Sequence, residues 1–158
     1  MNESILTGIQ SILAPALGIS ATALLLLGMH NRYAMLINRI RLLNEEKRKY
    51  YVKIADDKEP GPHEQLRFAS ISNQIQKLFN RSKELKNAIL FMQGSILLFV
   101  ITSVLISVNI LFSSSVLTIL PLVIFSSGMI LVLIGIIYSA TDVIRSFQVT
   151  EIEVKANI

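Results

Sequence analysis

The chain has no cysteine among its 158 residues, which excludes disulfides, thiol catalysis and thiolate metal sites. Its only two histidines, His30 and His63, stand 33 residues apart and fit no metal-ligand spacing. His30 reads as a polar anchor where an apolar run meets water, and His63 as a solvated helix start. There is no Gly-rich phosphate loop and no recognisable Ser/His/Asp arrangement. No paired carboxylate lies inside an apolar run. With no nucleophile, base or metal set, the expectation is a protein that is not an enzyme and takes no metal or cofactor. The largest absence is of charge. Residues 4–31 contain no Asp, Glu, Lys or Arg, and neither do the 55 residues 87–141. A water-soluble domain has no reason to leave such runs bare. A bilayer does, because a charge at its centre costs about 2.5–3.5 kcal/mol even on the mildest insertion scale.

What charge there is lies between the runs. Twenty of the 26 charged side chains fall between Arg32 and Lys86. The chain is 52% hydrophobic with a mean hydropathy of +0.56, and its apolar residues are gathered for burial in lipid and in neighbouring helices. The net charge of +4 fits a positive-inside bias better than a nucleic-acid partner. The Met-Asn-Glu-Ser start lacks a basic n-region, and the apolar run after it is too long for a signal peptide. That run is therefore expected to stay in the chain.

The organisation follows. Residues 1–29 hold a short outer N-terminus and a first span from about Ile5 to Met29, long enough at ~1.5 Å per residue to cross a ~30 Å hydrocarbon core. Residues 88–141 hold two spans, divided at Ser113-Ser114-Ser115, with Pro121 suited to the first turns of the later helix. Between them, residues 30–87 form a polar arm. Tyr33, Leu36, Ile37, Ile40 and Leu43 recur at helical steps, as do Phe68, Ile71, Ile75, Leu78 and Leu85. The turn at 56–62, Asp-Asp-Lys-Glu-Pro-Gly-Pro, separates the two runs. Two helices joined by a short turn pack antiparallel. No breaker separates either arm from its span, so two continuous helices are expected, about 5–54 with a bend near Pro15, and 63–112. Each projects ~35 Å beyond the membrane. Thirteen of the 15 Lys and Arg lie in the arm, which places it in the cytoplasm together with the tail 142–158.

Two stripes in the spans are candidate sites. In the first span Thr7, Ser11, Ala14, Gly18 and Thr22 fall on one helix face at steps of four, three, four and four, with Pro15 beside them. Such a face can line a pore in an oligomer, or let two helices approach closely. In the second span Ser95, Thr102 and Asn109 repeat every seven residues, and interhelical hydrogen bonding is the expected use. Gly128 and Gly135 read as a packing face, with Asp142 one heptad on and placed to pair with Arg32 or Arg145. The basic arm near Arg32, Arg39, Arg41, Lys83 and Lys86 suits anionic lipid or a cytoplasmic protein. Its aromatic residues sit at core spacing, which argues against base stacking and a nucleic-acid partner.

The stretch from Leu13-Ala-Pro-Ala to Asn31-Arg32-Tyr33-Ala34-Met35-Leu36-Ile37-Asn38-Arg39-Ile40-Arg41 resembles a bacterial three-span membrane family catalogued as domain of unknown function 2721. Asn31, Arg32, Asn38, Arg39 and Arg41 occupy its Asn-Arg and (Asp/Asn)-Arg-x-Arg positions, with Asn38 where Asp is the commoner residue. The likeness spans roughly residues 10–140. It implies a first span, a basic helical arm and paired final spans, and no activity. In topology alone the chain is also similar to YidC-like insertases, which place a cytosolic helical hairpin between spans one and two.

The sequence therefore reads as an all-α integral protein of the inner (plasma) membrane. It has three transmembrane helices and a long cytoplasmic antiparallel hairpin. Three spans enclose little volume, and the arms carry more apolar surface than one seam uses, which favours a homo-oligomer. The expected function is a small ion channel or transport pore lined by the first span. The alternative is a scaffold or insertase-like protein that recruits a partner through its hairpin.

Overall fold

The computed structural model of the chain describes the backbone of residues 2–55, 62–112 and 116–156, and the side chains of residues 10–52, 66–110 and 119–144. It is built of three helices: α1 (Asn2–Ala55), α2 (Pro62–Phe112) and α3 (Val116–Ala156). The residues 56–61 and 113–115, where turns are expected, lie outside the described set. All three helices are long and apolar enough to cross a membrane. At 1.5 Å per residue, α1 and α2 are each roughly 75–80 Å long, more than twice the ~30 Å hydrocarbon core.

Local chemistry explains the boundaries. Pro62 opens α2, a position where its fixed φ suits the helix and its missing N–H costs nothing. Pro121 sits near the start of α3, where few carbonyls are deprived of a partner. Pro15 lies well inside α1, is buried, and leaves the helix continuous. The third helix exceeds its expected length. No breaker follows Ser139, and α3 runs through Asp142 to Ala156, so residues beyond 142 continue the helix.

The helix α2 is the central element. It packs antiparallel on α1 along one side and on α3 along the other, while α1 and α3 scarcely touch. Its buried seam is Leu85, Ala88, Met92, Ser95, Phe99 and Thr102, each at most 1% exposed. Those residues step by three and four in turn, which is the a/d spacing of a left-handed coiled coil. A cluster of Met29, Leu85, Ala88, Ile89 and Met92 ties all three helices together, with Tyr33, Leu36 and Tyr138 packed around it. Phe91 stacks on Tyr138 with ring centroids 5.6 Å apart.

In the charged segments, α1 and α2 stay paired. Tyr51 and Phe68 meet edge to face at 5.1 Å, and the Lys47 ammonium lies 5.3 Å from the Phe68 ring centroid and 5.9 Å from that of Tyr51. Arg67 directs Nε and Nη2 at one Glu46 oxygen, at 3.1 and 2.8 Å. The Glu46 hydrogen bond and then the Glu46 charge push the Arg67 pKa up. The pair is solvent-exposed and contributes little to stability. It joins the two helices across the arm.

Candidate functional site

The first-span stripe divides. Pro15, Gly18 and Thr22 face α2, while Ser11 and Ala14 are exposed. The Thr7 side chain lies outside the described set. Close packing accounts for the buried members. A Cβ on Gly18 would lie 3.1 Å from Cε2 of Phe99, and one on Gly128 of α3 only 2.7 Å from its Cε1. The Phe99 ring, 0% exposed, therefore sits between two glycines on opposite flanking helices. It also meets Phe125 at 5.3 Å, tilted by 42°. Gly135 repeats the device one heptad on, where a Cβ would lie 2.9 Å from Cγ of Met92. Small residues let the backbones of α1 and α3 close around the large knobs of α2.

The hydroxyls do not cross between helices as expected. Thr22 donates to the Gly18 carbonyl at 2.7 Å, Ser95 to Met92 at 2.8 Å and Thr102 to Leu98 at 2.8 Å. A hydroxyl in a helix has an i−3 or i−4 carbonyl lone pair within reach, and these hydroxyls take it. Ser20, Ser103, Ser107, Ser126 and Ser127 bond back in the same way. That leaves them satisfied even on faces turned to hydrocarbon. Asn109 differs, since its Oδ1 is buried and finds no hydrogen-bond partner among the described residues.

At the charged end of the spans a polar contact crosses from α2 to α3. Arg81 Nε donates to Asp142 Oδ1 at 3.1 Å. The Asp142 side chain is 5% exposed and that of Arg81 23%. Asp142 therefore does not pair with Arg32; the Arg145 side chain lies outside the described set. The antiparallel register decides the partner, because it brings residue 81 of α2 level with residue 142 of α3. His30 marks the same end on α1. Its Nδ1 lies 2.9 Å from the Leu26 carbonyl, so the tautomer protonated there donates back to its own helix.

Asn31, Arg32, Asn38, Arg39 and Arg41 are all exposed. The described ion pairs involve none of them. Their seven-residue repeats place Asn31 with Asn38, and Arg32 with Arg39, along the helix. Among the described residues no group of His, Cys, Asp or Glu is placed to hold a metal ion. Phe99, Met92 and Arg81 are the residues that sequence reasoning passes over. The first two had a legible signal, because they stand at a/d steps between Ala88 and Thr102. Arg81 had none, being one of several basic residues on α2.

A family model described as Protein of unknown function (DUF2721) matches residues 12–152. No curated protein and no solved structure matches the chain.

Proposed function

The chain belongs to this family of proteins of unknown function and has three helices long and apolar enough to cross a membrane; from that premise we propose a homo-oligomeric scaffold of the inner membrane, whose cytoplasmic arm holds sister subunits together and presents a surface to a partner. The supporting observation is apolar exposure in the arm. Met35, Leu42, Val52 and Leu66 are each more than half exposed, yet they lie in the charged block, where hydrocarbon would not cover them. Single exposed apolar residues need no explanation. Here Met35, Leu42 and Val52 share the a and d positions of one heptad frame, on the side of α1 opposite to the side that packs on α2. A second arm laid along that face would cover all three.

The orientation rests on the 13 Lys and Arg of the arm. An insertase-like role is a variant of the same reading, in which the hairpin recruits a nascent chain or its carrier. Native mass spectrometry of the detergent-solubilised protein tests the assembly. A defined oligomer is expected, and the double variant Leu42→Glu/Val52→Glu should dissociate at roughly tenfold higher protein concentration or more, about 1.4 kcal/mol. A wild-type chain that is monomeric throughout would defeat the proposal.

The second reading, an oligomeric channel, draws on Ser11 and Ala14, the small residues of the first-span stripe that stay exposed. In a ring they would line an axis with hydroxyls and no charge. Reconstitution of intact oligomers into liposomes should then give ion flux, reduced by Ala14→Leu. Absence of flux for every common cation and anion removes this reading and leaves the scaffold standing.

A further inference from the structure

The weak contact between α1 and α3 leaves a groove over α2. A cleft of about 280 Å³ opens there, walled by Leu25, Gly28 and Arg32 of α1 and by Ile136 and Ser139 of α3, with Met92 of α2 at its floor. Higher in the spans Phe99 fills the equivalent space between Gly18 and Gly128. At this level Met92 packs against Gly135 of α3 and leaves the Gly28 side open, where an added Cβ would meet no atom within 4 Å. The groove is mainly apolar, with Ser139 in one wall, and ends at one cation, at the end of the spans from which the charged arm emerges.

We propose that this groove is a binding site for one acyl chain of an anionic phospholipid, with the Arg32 guanidinium on its phosphate. Three observations favour that occupant. The apolar walls lie within the span, and the single charge stands at its boundary, which is the profile of a lipid with its headgroup at the interface. The nearby acidic group of α3, Asp142, is already bonded to Arg81, and the described ion pairs leave Arg32 without a carboxylate. A guanidinium presents a planar fork of donors that matches a phosphate. The volume falls just below the ~300–1,000 Å³ of a typical small-molecule pocket. It therefore takes a length of one chain and leaves the rest of the lipid in the bilayer.

The test uses the full-length protein in mild detergent, titrated with phosphatidylglycerol or phosphatidylcholine, with retained lipid counted by native mass spectrometry. Wild type should retain phosphatidylglycerol at least fivefold better than phosphatidylcholine. Arg32→Gln should abolish that preference. Gly28→Leu should abolish retention of both lipids, because the leucine side chain enters open space and occupies the groove. Its thermal midpoint should match that of wild type for the same reason. Arg48→Gln, exposed on the arm well beyond the cleft, is the control and should change nothing. Equal retention of the two lipids by wild type would overturn the proposal, as would unchanged retention in Arg32→Gln. An equal loss in Arg48→Gln would also overturn it, by assigning the attraction to the diffuse charge of the arm. Should Gly28→Leu change the subunit count and leave the lipid bound, the groove belongs to a second copy and the proposal fails.

Discussion

Phe99→Ala should destabilise the protein by about 3 kcal/mol, read as a lower midpoint of unfolding in a mixed-detergent titration. The ring is 0% exposed, lies against both Gly18 and Gly128, and meets Phe125. Removing it empties a place inside the spans where all three helices converge. Soluble cores lose about 3–5 kcal/mol for such a truncation. The lower end applies here because lipid is as apolar as the ring, so only the packing contribution is lost. The reciprocal change fails for the opposite reason. Gly128→Leu places a Cβ 2.7 Å from the ring, well inside contact distance, and overpacking costs about 1–3 kcal/mol. Gly18→Leu, starting from 3.1 Å, should be the milder of the two. Phe99→Ala combined with Gly128→Leu should recover much of the loss, since the new side chain fills the vacated space. Additive single effects would show that Phe99 and Gly128 do not share a packing site.

The second large effect is asymmetric. Arg81→Ala should cost about 3 kcal/mol, whereas Asp142→Ala should cost about 1 kcal/mol, although both break the same 3.1 Å contact. Removing one partner of a buried pair costs ~3–5 kcal/mol when the survivor stays buried and uncompensated. Asp142, with a side chain 5% exposed, is such a survivor. Arg81, at 23% exposure and on a long stem, can turn its guanidinium to water and keep its methylenes packed. Unfolding titrations of the two single variants and the double variant measure both the asymmetry and the coupling. Equal costs for the two single variants would show that exposure does not govern this pair.

The two effects fall on residues of very different visibility in the sequence. The seam on α2 was half legible: Ser95 and Thr102 mark its face by their seven-residue repeat, and Met92 and Phe99 complete it. Nothing in the sequence says that Phe99 meets a glycine on each side, because Gly18 and Gly128 are 110 residues apart. Interhelical bonding by Ser95 and Thr102 was a reasonable expectation that the fold does not use. Both hydroxyls find a carbonyl on their own helix before any neighbour comes near. The sequence offers Asp142 either Arg32 or Arg145, whereas the fold brings Arg81 to it, because α3 adjoins α2 far more than α1.

The uncharged runs and the charged block by themselves determined the three membrane-capable helices and the continuity of two of them with a polar arm. That inference is safe from sequence because it depends on the cost of charge in hydrocarbon and on unbroken helical periodicity, both local along the chain. Tertiary structure alone decided that α2 is central, that Pro15, Gly18 and Thr22 are spent on packing while Ser11 and Ala14 stay exposed, and that Arg81 holds Asp142. It also left a groove at Gly28 where the same packing is missing. These depend on which helix lies beside which, and at what register. In an apolar chain with no charge inside the spans, that choice is made by the fit of side chains against glycines, which no single stretch of sequence carries.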